Sequence, residues 1–167
     1  MSKHMVVTYS AEKAETGHVD PNFTQMVYGD SGDKSNVMEK NLEEGSYVFF
    51  NARIGNQRYI TAYFYVEKIL IKGKHDHEIA SINASAKEDR LLIIGSRYFS
   101  KVLTVPLLLN RNLMEELISF GADKDYFNKK KSEGHSELVA IKDKTLNHKL
   151  ITEEEKEYLI DLCKNRG

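Results

Sequence analysis

The segment Arg58 to Ile71 (RYITAYFYVEKILI) constrains this chain more than any other, because it is long, rich in β-branched and aromatic residues, and free of Gly and Pro. Such a run extends as a strand and needs neighbours to pair its backbone. Ser46 to Ala52 (SYVFFNA) supplies one, joined to it by Arg53-Ile54-Gly55-Asn56-Gln57 as a hairpin connection. Period-two alternation puts Ile60, Ala62, Phe64 and Val66 on one face, expected to be core, and Tyr59, Thr61, Tyr63 and Tyr65 on the other. The tyrosine face either packs on a helix or second layer or meets a ligand.

Around this pair the remaining elements are shorter. Met5 to Tyr9 reads as a strand, and Ala11 to Asn36 as a long loop, broken at most by a short helix near Phe23 to Tyr28. Loops beyond about 12–15 residues are uncommon and often functional. Val37 to Leu42 reads as a helical turn ended by Gly45, and Lys72 to Arg90 as polar with a short helix. Leu91 to Ile94 is a compact strand; Arg97-Tyr98-Phe99 and Val102 to Leu109 suggest another strand or strand pair, with Pro106 favouring an edge. Asn112 and Glu115 have capping-box spacing, with Leu113, Leu117 and Phe120 as an apolar stripe that ends before Gly121. Leu138 to Ile141 reads as a short strand. Thr152 and Glu155 cap a closing helix that packs through Tyr158, Leu159 and Leu162. The sum is α+β, or a small β-barrel with packed helices.

At 167 residues the chain accommodates one substantial core, expected to be a single domain over residues 5–167, with Met1-Ser2-Lys3-His4 as a leader left by cloning ahead of Met5. Lys and Arg number 24 against 25 Asp and Glu. That balance excludes coating of long nucleic acid by charge alone and leaves room for a local phosphate footprint. A single cysteine, Cys163, excludes an internal disulfide framework and a zinc site of several thiolates. A cytoplasmic setting follows most simply, with no membrane span, export segment or cofactor expected.

Several residue groups are candidates for chemistry, each beside a structural alternative. His18, Asp20, Asn22 and Phe23 combine polar groups able to read a base edge with a ring able to stack; Asp20 before Pro21 also starts an Asx turn, and Phe23 can anchor the loop to the core. Tyr28-Gly29-Asp30 adds a ring and an acceptor, or ordinary turn chemistry. Arg53 and Arg58 can engage phosphate or a base edge, or simply face solvent. Arg97 beside Tyr98 and Phe99 pairs a cation with aromatics, or lies at the surface over two buried rings. Lys129-Lys130-Lys131 can touch phosphates, although charge runs are usually solvated. His75-Asp76-His77-Glu78 lacks metal-site spacing, and no dinucleotide fingerprint, phosphate loop, deaminase signature or nucleophile elbow occurs.

Glu44-Gly45-Ser46-Tyr47-Val48-Phe49-Phe50-Asn51 followed by Tyr59 to Ile69, with His18 to Phe23, Tyr28-Gly29-Asp30 and Arg97-Tyr98-Phe99, resembles the PUA-like superfamily that includes EVE, YTH and ASCH domains. The resemblance spans mainly residues 5–120. It implies a PUA-like small β-barrel with flanking helices. It also implies binding of DNA or RNA through an extruded, unpaired or modified base, in some members as part of a defence system with a separate effector protein. The absence of Trp departs from the YTH cage and leaves a Tyr- or Phe-lined pocket. Asp20, Asn22, Phe23 and Tyr28 are the preferred pocket set. A small nucleotide- or nucleic-acid-processing enzyme using Asp20 and Asp30, and a protein-interaction domain using Tyr59, Tyr63 and Tyr65, are the alternatives. DNA versus RNA and the oligomeric state stay open.

Overall fold

The computed structural model describes residues 4–12 and 19–167. His18 and the first three residues of the expected leader lie outside them, whereas His4 opens the first strand. Its architecture is α+β: one seven-stranded sheet with helices packed mainly on one side.

The sheet is organised by its longest strand, β4 (Gln57–Ile71). On one edge β4 pairs antiparallel with β3 (Tyr47–Ile54), which pairs in parallel with β1 (His4–Thr8), which pairs antiparallel with the short β7 (Lys149–Ile151). Along its other edge β4 meets first β6 (Lys101–Leu108) and then β5 (Leu91–Gly95), which in turn pairs with β2 (Val27–Asp30). The end strands β2 and β7 are not neighbours in the hydrogen-bonded order, so the sheet does not close into the expected barrel.

Both faces of the central strands are buried, which explains why β1 and β3 read as continuous apolar runs instead of alternating with polar residues. Met5, Val7, Val48, Phe50, Phe64, Leu91 and Ile93 fill one side. Val6, Phe49, Tyr63, Leu103 and Leu107 face the helical layer. The register slips between Ile60 and Ala62 against β6, and between Phe50 and Asn51 against β3. A bulge of this kind reverses the alternation, so Ile60 lies with Tyr63 in the helical core and not with Ala62 and Phe64, as strict periodicity predicts.

The helical layer consists of α3 (Arg111–Glu116), α4 (Lys124–Ser132), α5 (Glu137–Thr145) and α6 (Glu153–Cys163). Thr152 and Glu155 form the expected capping box on α6. The cap of α3 is Asn110, whose side chain accepts from the Leu113 amide, while Glu115 instead pairs with Arg111 one turn back. A 3₁₀ turn at Ile118–Phe120 ends on Gly121 in the left-handed region (φ 66°), as its placement after the stripe implies.

Three further expectations are corrected. Leu138 to Ile141 is helix, because Ser136 caps the Val139 amide and the apolar run continues with helical spacing into α5. The long loop after β1 contains β2 and the helix α1 (Gly32–Asn41), and the stretch before β2 is a turn closed by Asn22 pairing with Val27. Arg97-Tyr98-Phe99 forms a turn between β5 and β6, with Tyr98 93% exposed and Phe99 62% exposed. Between β4 and β5, the polar segment supplies the helix α2 (Asp76–Ala80) and a 3₁₀ turn at Ser85–Glu88.

Candidate functional site

The two ends of the sheet approach one another where β2 passes the chain leading into β7. They meet through side chains. His148 Nε2 donates to Asp30 Oδ2 at 2.5 Å, and the Tyr28 hydroxyl donates to the same oxygen at 2.8 Å. The His148 side chain is only 2% exposed. Beside this junction opens a cleft of about 790 Å³ whose walls include Thr8, Tyr9, Asp20, Asp30, Asp89 and Arg58.

One wall is carboxylic. Gly29, in the middle of β2, donates its amide to Asp20 Oδ1 at 3.1 Å. A Cβ at Gly29 would lie 2.6 Å from Asp89 Oδ2 and 2.9 Å from Ala86 Cβ, so glycine is what lets the Asp89 carboxyl approach β2 so closely. Asp89 is held by the Ser31 hydroxyl at 2.9 Å. Burial, reinforced by Asp89 and Asp30, pushes the Asp20 carboxyl up to about 8 against the opposing pull of the Gly29 amide. At neutral pH Asp20 is therefore mostly a neutral acid, able both to donate and to accept. For Asp30, burial works in the same upward direction, but the hydrogen bonds from His148 and Tyr28 outweigh it and hold the carboxyl below its ordinary value. Tyr28 is pushed well up by burial and then by Asp30, so it stays a hydroxyl donor.

The same lining carries cations. Arg53 and Arg58 are cross-strand partners at the start of the β3–β4 hairpin. Arg58 donates to Asn51 Oδ1 at 3.1 Å, while its buried Nε has no hydrogen-bond partner. Burial and then the charge of Arg53 lower the Arg58 pKa. Arg53 Nε donates to the Gly55 carbonyl at 2.9 Å. Lys34 and Lys142 complete the rim. None of these four cations forms an ion pair among the described residues. Like charges directly across a sheet repel one another, so this arginine pair raises the local positive potential of the cleft.

The cleft thus gathers Asp20, Tyr28, Asp30, Arg53 and Arg58 from the sequence candidates. Asn22 faces its own turn, its side chain accepting from the Gln25 amide. Phe23 packs edge-on to Tyr9, Phe50 and Phe64, which makes it the anchor of the loop over the core. Arg97 bonds the Thr24 carbonyl at 3.3 Å, and it and Tyr98 lie outside the cleft walls. Asp89, Gly29, Tyr9, Lys34, Lys142 and His148 join the site without any local signal except Gly29, which stands between Tyr28 and Asp30. Tyr9, half-buried against Phe23 and Phe50, contributes a ring to the lining, its hydroxyl paired with Thr61 Oγ1 at 2.7 Å.

Among the described residues no group of three or more His, Cys, Asp or Glu side chains is arranged to hold a metal ion, and no helix is long and apolar enough to cross a membrane. His75 and Asp76 instead accept from the Ile71 and Gly73 amides around the start of α2.

No family model and no curated protein matches the sequence. Two solved structures are similar over nearly the whole chain. The N-terminal domain of Thermococcus gammatolerans McrB bound to m5C DNA is 11% identical with a TM-score of 0.43, covering 97% of this chain and 97% of that one. Human THYN1 in complex with 5-methylcytosine-containing DNA is 12% identical with a TM-score of 0.47, covering 98% and 99%.

Proposed function

We propose that this chain is a cytoplasmic, non-enzymatic nucleic-acid-binding module, a partly open PUA-like barrel over residues 5–167, that takes one extruded, unpaired or modified base into the cleft. The observation that carries this reading is one cleft lined both by carboxyls and by two arginines that form no ion pair among the described residues. A nucleotide likewise combines a hydrogen-bonding base with a phosphate. Asp20 as a neutral acid complements an edge that sets a ring-nitrogen acceptor beside an exocyclic amino group, as in cytosine or adenine. Tyr9, backed by Phe23, offers the stacking surface that an extruded base needs to replace its lost neighbours. Arg53 and Arg58 take the phosphate. Any defence activity is then exerted through a separate effector protein.

A second reading has one observation in its favour: a neutral Asp20 beside ionised carboxyls is also an acid–base arrangement. Incubation with oligonucleotides containing 2-aminopurine next to a 5-methylcytosine, followed by mass analysis, separates the two. 5-Methylcytosine serves as a probe because it sets a ring-nitrogen acceptor beside an exocyclic amino group. Binding is expected to raise the 2-aminopurine emission as its neighbour unstacks, with every mass unchanged. A new mass lost in Asp20→Asn overturns the non-enzymatic reading.

A further inference from the structure

We infer that the recess between α4 and α5 is a second contact for nucleic acid, taking a backbone phosphate of the strand that flanks the seated base; this rests on the reading of the cleft given above. The recess holds about 340 Å³ and is lined by Arg111, Phe127, Lys130, Lys131, His135 and Glu137, among others. It is a built surface. Arg111 is tied to Glu115 at 3.0 Å and to Asn128 at 3.2 Å, and its guanidinium lies 5.3 Å from the centre of the Phe127 ring. Lys130 is tied to Asp143 at 2.8 Å and lies over Tyr126. These neutralised pairs shape the walls, with the buried Phe127 ring between them.

Lys131 and His135 are different. Both are exposed and neither forms an ion pair among the described residues, although His135 lies within electrostatic reach of Asp143. They stand at the mouth of the recess beside the start of α5, where Ser136 caps the Val139 amide and the two amides before it have no carbonyl partner within the helix. A compact ammonium beside open amides suits a phosphate oxygen. Glu137 is the single acid of the lining, and it disfavours a free multivalent anion more than a monoanionic diester.

The recess and the cleft share the helix α5. Lys142 lines the cleft, whereas Ala140, about 200° away round α5, lines the recess, so this helix is the partition between them. A helix with its side chains is about 10–12 Å across, and a strand carries a charge about every 3.4 Å of duplex axis. About three phosphates span that width.

The test compares wild-type protein, Lys131→Ala and Lys131→Glu in titrations with a mononucleotide and with the same base flanked on both sides, at several salt concentrations. For the flanked oligonucleotide, Lys131→Ala is expected to reduce the slope of log affinity against log salt by about one, equally for modified and unmodified bases, and Lys131→Glu to weaken binding further. Mononucleotide affinity is expected to stay unchanged. An unchanged slope, or an equal loss for the mononucleotide, overturns the second contact. If Asp20→Ala still removes discrimination between bases, the cleft reading survives that failure; if the wild type binds neither ligand, both fall.

Discussion

Asp30 and His148 meet at 2.5 Å although 118 residues separate them in the chain. One ends β2 and the other precedes β7, the two outermost strands of the sheet. A side-chain latch therefore stands where a closed barrel would have backbone pairing. It also sets the depth of the cleft, since Tyr28 and Asp30 are both held by it and both line the wall.

His148→Ala removes the donor from a largely buried carboxylate and is expected to cost about 2 kcal/mol, measured by urea unfolding at neutral pH. Asp30 has a lowered folded-state pKa. Its contribution is therefore complete above the unfolded value of about 4 and is lost as the pH falls through the folded one. In the variant, the loss of stability on the acid side is expected to be shallower. An unchanged acid limb would mean that the latch does not stabilise the ionised form.

Asp20 has the opposite sign. Its folded-state value, about 8, lies above the unfolded one, so the folded state binds more protons and stability declines as the pH rises between them. Asp20→Asn keeps a donor and an acceptor without the titration. The variant is expected to be more stable than wild type at pH 8.5, by an amount on the order of a few kcal/mol at most, and equal to it or weaker near pH 4. Parallel pH profiles for the two proteins would contradict the buried neutral acid.

Gly29→Ala pushes a methyl group into Asp89 Oδ2 and Ala86. Neither can retreat freely, because Asp89 is bonded to Ser31 and Ala86 is buried. A cost of about 1–3 kcal/mol is expected in thermal or chemical unfolding, with oligonucleotide binding weakened as the carboxyl wall moves. Wild-type stability would show that the wall is not packed against β2 as described.

Arg53→Gln relieves the cross-strand repulsion with Arg58. Stability is expected to rise by up to about 1 kcal/mol while oligonucleotide affinity falls and its salt dependence weakens. A fall in both would mean that Arg53 serves the hairpin and not an anion.

Much of the fold was legible because it rests on local chemistry. The β3–β4 pair follows from continuous β-branched and aromatic residues, and the start of α6 from Thr152 and Glu155. The errors have physical causes. Leu138 to Ile141 is too short an apolar run for period to separate strand from helix, and Ser136 decides it. The bulge near Thr61 exchanges the faces of Ile60 and its neighbours, which no alternation rule anticipates. Asp20, Tyr28 and Asp30 could be picked from their clustering in one turn-rich stretch. His148 and Asp89 could not, since only the approach of β2 to the chain before β7, and of Asp89 to Gly29, gives them a role.

We propose Asp20 as the group that reads a base held in the cleft. The most direct test is equilibrium binding of the wild type and Asp20→Ala to modified and unmodified, single- and double-stranded DNA and RNA oligonucleotides, with circular dichroism confirming that the variant folds. The wild type is expected to bind and to prefer some bases over others, and Asp20→Ala to lose that preference while keeping weaker, salt-sensitive binding through the arginines. A folded Asp20→Ala that ranks the panel as the wild type does would contradict the account.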